Sequence, residues 1–196
     1  KRKGFAPKGN LIVSATNDDE TAGKMGLKYV IEKGLREIGW PMPDFHLLLE
    51  SSDWNVNVAY KGRLWVRIGV RGTPAHGGTP EKGVNAILKM TELIDAILDI
   101  PRRTHPLIGA DSINVGTIVG GEKTNMVPAY CETTFDYRFV PPRNSEDALN
   151  EIRNAIEAKR RSDPKLDVAK FEVFEQRDPL EVAPDAPEIL LLRECI

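Results

Sequence analysis

Four acidic side chains fall where carboxylates can do chemistry. Asn17-Asp18-Asp19-Glu20-Thr21-Ala22-Gly23 sets three of them where a strand is expected to turn into a helix, and Glu50 closes the next apolar run. The plain reading of the triplet is a charge cluster favoured by the helix dipole. Glu50 opens a second reading, because neighbouring strands lie about 4.8 Å apart and Glu20 and Glu50 can then converge on one hard or borderline cation. Two adjacent acids divide the labour: one holds metal, and the other takes a proton from the attacking water.

Two more blocks carry polar groups in unusual company. Val70-Arg71-Gly72-Thr73-Pro74-Ala75-His76-Gly77-Gly78-Thr79-Pro80 runs closely into Gly83-Val84-Asn85-Ala86-Ile87 and holds one imidazole. Taken alone, a histidine between glycine and proline is a solvated loop residue. Gly120-Gly121-Glu122-Lys123-Thr124-Asn125-Met126-Val127-Pro128 is followed ten residues on by Arg138, in Phe135-Asp136-Tyr137-Arg138. Taken alone, the glycine pair is a hairpin turn and Arg138 a charge on a polar face shared with Glu132 and Asp136.

The elements that must position these groups form two sets. Leu11-Ile12-Val13, a helical run through Leu27, Val30, Ile31, Leu35 and Ile38, and Phe45-His46-Leu47-Leu48-Leu49 read as a βαβ unit, with Gly39 and Pro41 stopping the helix. Continuous apolar strands imply a sheet covered on both faces with a right-handed crossover. Ligands of such sheets bind beyond the carboxyl ends of the strands, where Asp19, Glu20 and Glu50 fall. From Gly62 the texture changes: Leu64, Val66, Ile68 and Val70 alternate with Arg63, Trp65, Arg67 and Arg71, as on a half-exposed strand. A helix follows through Val84, Ile87, Leu88, Ile94 and Leu98, then strands around 114–119 and 130–140. A second helix carries Leu149, Ile152 and Ile156, capped by Asn144 or Ser145, and a last strand runs from Val168 to Phe174. The order βαββαβ is that of a ferredoxin-like sandwich. The fold class is therefore α/β (α+β), with part of a βαβ domain at 1–61, a ferredoxin-like domain at 62–176 and a return at 177–196. His105, in Arg103-Thr104-His105-Pro106, reads as loop.

Composition narrows the partners. Of 196 residues, 41% are hydrophobic, and Lys+Arg 27 against Asp+Glu 29 leaves a formal charge of -2 with no dense basic block. Nucleic acid and membrane surfaces are thereby disfavoured, and a small-molecule substrate is expected. Two cysteines, Cys131 and Cys195, make neither a metal knuckle nor a disulfide framework, so a cytoplasmic protein is expected. No apolar run approaches membrane length. The chain opens Lys1-Arg2-Lys3-Gly4 without an initiator Met and stops in a helix-like stretch, so both ends read as cut.

Together the three blocks resemble the acetylornithine deacetylase, succinyl-diaminopimelate desuccinylase, aminoacylase and carboxypeptidase G family of dinuclear zinc metallopeptidases, over about Leu11 to Phe174. Matching motifs are the acidic turn with the later Glu50, the Gly-x-x-x-His and Gly-x-Asn-Ala-Ile run, and Gly-Gly, Asn-x-x-Pro and Asp-x-Arg. The resemblance implies Glu20 and Glu50 as metal ligands and Asp19 as general base, one methylene shorter than the family's usual Glu. It implies His76 as an oxyanion stabiliser acting on the partner subunit's site, a sound use for an imidazole N–H. Asn125 would bind substrate, and Arg138 would clamp a substrate carboxylate with its planar fork. Two divalent metal ions are implied, zinc with cobalt or manganese as alternatives, and the family's His-x-Asp and late His ligands have no counterpart among His46, His76 and His105. The expected activity of the whole protein is metal-dependent cleavage of an amide in an N-acyl amino acid or small peptide, with a homodimer formed through the lid domain. The alternative is a non-catalytic dimerisation module.

Overall fold

The structure is a computed structural model and describes residues 8–16, 26–49 and 55–195. It divides into two compact units, Lys1–Ser51 and Ser52–Ile196. In the first, helix α1 runs through three consecutive stretches, Leu27–Tyr29, a π-helical Val30–Gly34, and Leu35–Glu37. Gly39 ends it in the left-handed region at φ 71, and the Trp40 N–H reaches back to the Leu35 carbonyl at 2.8 Å. Only glycine takes that conformation without cost. The strands expected at Leu11-Ile12-Val13 and Phe45–Leu49 are not formed, and His46 stands in the same irregular stretch. Leu11 is 83% exposed and Leu49 88%. A parallel strand needs backbone partners at its sides and helices over its faces, and the described part of this unit offers one helix.

The second unit is the ferredoxin-like sandwich. Strand β1 (Ala59–Tyr60) leads into β2 (Gly62–Arg71), a 3-10 turn at Pro80–Lys82 and helix α2 (Ala86–Leu98). The short strands β3 (Thr104–His105) and β4 (Gly109–Ala110) precede β5 (Ser112–Gly120) and β6 (Tyr130–Phe139). Helix α3 (Ser145–Ser162), β7 (Asp167–Arg177), β8 (Leu180–Glu181) and helix α4 (Pro187–Cys195) complete it. The main sheet has the order β5-β6-β2-β7, antiparallel throughout. Alternation along β2 and β6 drives this arrangement. Leu64, Val66, Ile68 and Val70 of β2, with Phe135, Tyr137 and Phe139 of β6, point to one side and are fully or almost fully buried under Met90, Leu93 and Ile97 of α2 and Leu149 and Ile152 of α3.

The helices start where their caps dictate. Asn85 accepts the N–H groups of Ile87 and Leu88, so α2 begins at Ala86, and Val84, expected in the helix, instead bridges Thr73. Asn144 caps α3 in a reciprocal box with Asp147. His105 differs from expectation: it lies in β3, is 8% exposed, accepts the Leu107 N–H at Nδ1 and meets Glu181 from Nε2 at 3.0 Å. Sequence spacing gave no sign of a partner 76 positions away.

A buried polar knot ties the helix side to the sheet. Arg143 bridges Asp111, the Tyr137 hydroxyl at 2.9 Å and Glu151 at 2.8 Å, and the Tyr137 hydroxyl donates to Glu151 at 2.6 Å. Burial pushes the Tyr137 phenol up from 10.0 to about 12, the Glu151 carboxylate adds to the shift, and Arg143 opposes it. Because the folded value lies above the unfolded one, this contribution to stability is complete below pH 10 and is lost as pH rises towards 12. Denaturant midpoints are expected to fall over that interval, and to fall less in Tyr137→Phe.

Candidate functional site

Two loops meet at the end of the sheet where β2 leaves and β6 begins. The Gly72 N–H donates to the Ala129 carbonyl at 2.8 Å, the Val127 N–H to Ala75 at 2.9 Å and the Gly77 N–H to Asn125 at 2.8 Å. His76 and Met126 thereby form an isolated antiparallel bridge. Backbone bonds, rather than side chains, bring His76 and Asn125 together. The side chains are left exposed at the loop surface.

Among the described residues the His76 ring makes one hydrogen bond: Nδ1 accepts the Gly78 N–H at 3.0 Å. A neutral imidazole that accepts at Nδ1 carries its proton on Nε2. Among the described residues neither His76 Nε2 nor the Asn125 side-chain amide has a partner, so two polar groups stand unspent on loops that the backbone bonds hold together. Such groups can bind an oxygen that gains negative charge.

Arg138 stands at the other end of β6. Its Nε and Nη2 grip Asp136 at 2.7 and 2.8 Å, so one edge of the fork is already filled. Spacing of two along a strand puts both residues on one face, a pairing legible in Asp-x-Arg but not drawn from it. The register sets Ser112, Arg138, Arg63 and Arg177 in one row across the four strands. Like charges so placed repel, and Asp136 and Glu175 offset them from the next row. Glu175 takes Arg63 at 2.8 Å and Arg177 at 3.1 Å; burial alone would raise its carboxyl, but the two guanidinium groups hold it below the usual range. Arg138 lies eight residues from Tyr130, a rise of about 26 Å. The structure thus brings His76 and Asn125 together and keeps Arg138 apart from them.

The sheet's two edges differ. β7 carries Asp167, Lys170, Glu172, Glu175 and Arg177 and two register shifts against β2, features that discourage pairing with another chain. β5 reads Ser-Ile-Asn-Val-Gly-Thr-Ile-Val-Gly, without a charge, and leaves Ile118 49% and Val119 72% exposed. Leu88 and Leu98 of α2 add exposed apolar surface.

Asp19, Glu20 and Glu50 lie outside the described residues. Among the described residues no group of three or more His, Cys, Asp or Glu side chains is placed to hold a metal ion, and both ring nitrogens of His105 are already engaged. Nor is any described helix long and apolar enough to cross a membrane.

Residues 58–164 match the peptidase dimerisation domain of the M20 peptidases. An uncharacterised metallohydrolase of Methanococcus maripaludis is 30% identical over 163 residues, covering 77% of this chain and 39% of that protein. Acetylornithine deacetylase of Proteus mirabilis is 30% identical over 159 residues, 76% of this chain and 40% of the enzyme. The chain therefore spans about two fifths of the length of these curated relatives. Among solved structures, an aminopeptidase from Bacillus cereus superposes with a TM-score of 0.53 at 24% identity, over 68% of this chain and 34% of that one. A tripeptidase from Staphylococcus aureus gives 0.53 at 19% identity, over 70% and 35%. At such identities the likeness is one of fold.

Proposed function

The chain belongs to the family of the M20 peptidase dimerisation domain, and from that premise we propose that it is the lid and dimerisation part of a metal-dependent amidohydrolase acting on N-acyl amino acids or small peptides. Residues 62–176 act as the lid, with 1–61 and 177–196 belonging to the catalytic domain. The exposed Leu11, Val13, Leu47, Leu48 and Leu49 support this reading, as residues of a larger sheet. Glu20 and Glu50 would hold metal, Asp19 would take the proton of the attacking water, and the bound ions, zinc in the first instance, would supply Lewis acidity.

The observation that carries the reading is the pair of unspent groups on His76 and Asn125. His76 Nε2–H donates to the carbonyl oxygen as it gains charge, and Asn125 fixes the substrate beside it. Arg138, about 26 Å along the strand, cannot touch the same small substrate within one subunit. In a homodimer paired through the uncharged β5 edge, His76 and Asn125 therefore serve the partner's site and Arg138 its own, where it meets the substrate carboxylate with the part of the fork that Asp136 leaves free.

The test uses the whole protein on a panel of N-acetyl, N-succinyl and dipeptide substrates, before and after chelation. Hydrolysis should be lost with the metal and restored by zinc, cobalt or manganese. Arg138→Ala should raise KM about tenfold or more for substrates with a free carboxylate, the scale of a lost charge-assisted hydrogen bond, and much less for amidated ones. No hydrolysis of any panel member by metal-loaded protein would leave the chain with association alone.

A further inference from the structure

The two glycines after His76 are more than a flexible turn. A Cβ on Gly78 would stand 3.1 Å from His76 Nδ1 and 3.3 Å from Cε1, so the imidazole lies close against this backbone and would have to shift by a few tenths of an ångström to admit a side chain there. The same residue supplies the N–H that Nδ1 accepts, at 3.0 Å. A Cβ on Gly77 would stand 3.0 Å from the carbonyl carbon and oxygen of Asn125, which are backbone atoms and cannot swing aside, and the Gly77 N–H donates to that oxygen at 2.8 Å. Each glycine thus combines a close approach with a hydrogen bond, one to the ring and one to the neighbouring loop.

We propose that Gly77 and Gly78 are positioning residues for catalysis: Gly78 fixes the His76 ring with Nε2 as the free donor, and Gly77 keys the His76 loop onto Asn125 so that the two side chains act on one substrate. This rests on the reading of His76 as oxyanion donor. The contact acts through geometry. A methyl group at 78 tilts the ring by a few tenths of an ångström, and transition-state hydrogen bonds lose strength steeply with such errors.

The experiment is a mutant cycle in the whole dimeric protein, with Gly78→Ala, His76→Ala and the double variant assayed on a hydrolysed N-acyl amino acid. Gly78→Ala should lower kcat about tenfold, within the range of a small misplacement, with KM little changed. On top of His76→Ala it should cost nothing further. An equal loss in both backgrounds, or a rise in KM with kcat unmoved, would show a general loop defect and overturn the proposal. Gly77→Ala should by contrast still lower activity in the His76→Ala background, because it displaces Asn125, and in the Asn125→Ala background, because it displaces His76; it should be silent beside the two together, and a further loss there would overturn its half. Amide hydrogen exchange at Gly78 checks the contact without catalysis: His76→Ala should speed it, whereas His76→Asn, whose side-chain oxygen can take the place of Nδ1, should protect it while kcat stays low. Unchanged exchange in His76→Ala would overturn the proposal even with a normal cycle. Wild-type kcat in His76→Ala would instead overturn the oxyanion reading beneath it.

Discussion

His76→Ala in the whole protein is expected to lower kcat on the order of 100-fold, the scale of a lost oxyanion donor, and mixing it with Asp19→Ala is expected to restore activity. The first variant lacks the donor and keeps the base; the second keeps the donor and lacks the base. If His76 acts across the interface, each mixed dimer holds one site with both groups. Random exchange makes half of all dimers mixed, so about a quarter of wild-type activity should return in a two-fold symmetric dimer. Arg138→Ala mixed with Asp19→Ala should recover nothing if Arg138 and Asp19 serve the same subunit's site, because no site of a mixed dimer would then hold both intact. The asymmetry between the two mixtures follows from the strand: His76 is zipped to the loop before Tyr130, and Arg138 sits eight residues further on. Recovery in both mixtures, or in neither, would remove the division of roles. Loss of bound metal in His76→Ala would make the histidine a ligand instead.

What could be read beforehand follows the range of the forces involved. β2, β6 and α3 were legible because alternation, helical spacing and an Asn cap are local, and a half-buried strand must alternate. The Leu11 and Leu47 runs read as strands but form none among the described residues, since apolar content marks what wants burial but does not supply the neighbours that bury it. His105 and the Arg143 knot were illegible for another reason: the partners Glu181, Asp111 and Glu151 come from separate elements that only the finished sandwich brings together. In the candidate site the motifs marked His76, Asn125 and Arg138 as residue types, while their separation emerged only from register. β6 as one unbroken strand sets Arg138 eight residues from the end that the His76 loop joins, a length that argues against a shared small substrate within a subunit.

Ile118→Lys is expected to separate the dimer and silence the whole protein together. Ile118 lies on an edge strand without charge and is 49% exposed, and Leu88 on α2 is 58% exposed. If β5 pairs with its copy, antiparallel strands extend the sheet from four to eight and cover this apolar rim, and a two-fold axis sets every added lysine near its own image. Lysine on an edge is one of the devices by which proteins block such pairing, and like charges brought together at an interface cost several kcal/mol, so the dimer dissociation constant should rise by about a hundredfold or more. Sedimentation should show monomers at concentrations where the wild type is dimeric, with circular dichroism unchanged because the side chain is not in the core. Activity should fall with the dimer fraction if His76 and Asn125 serve the partner's site as proposed, and should return at high protein concentration. A lysine in place of Val173 on β7, the edge already guarded by charge and register shifts, would damage the core face it helps to cover; Phe174→Lys on the same strand avoids that and should leave the dimer intact. If Ile118→Lys stayed dimeric while Phe174→Lys came apart, the pairing edge would be β7. If Ile118→Lys were monomeric and fully active, the lid would pair subunits without completing their sites.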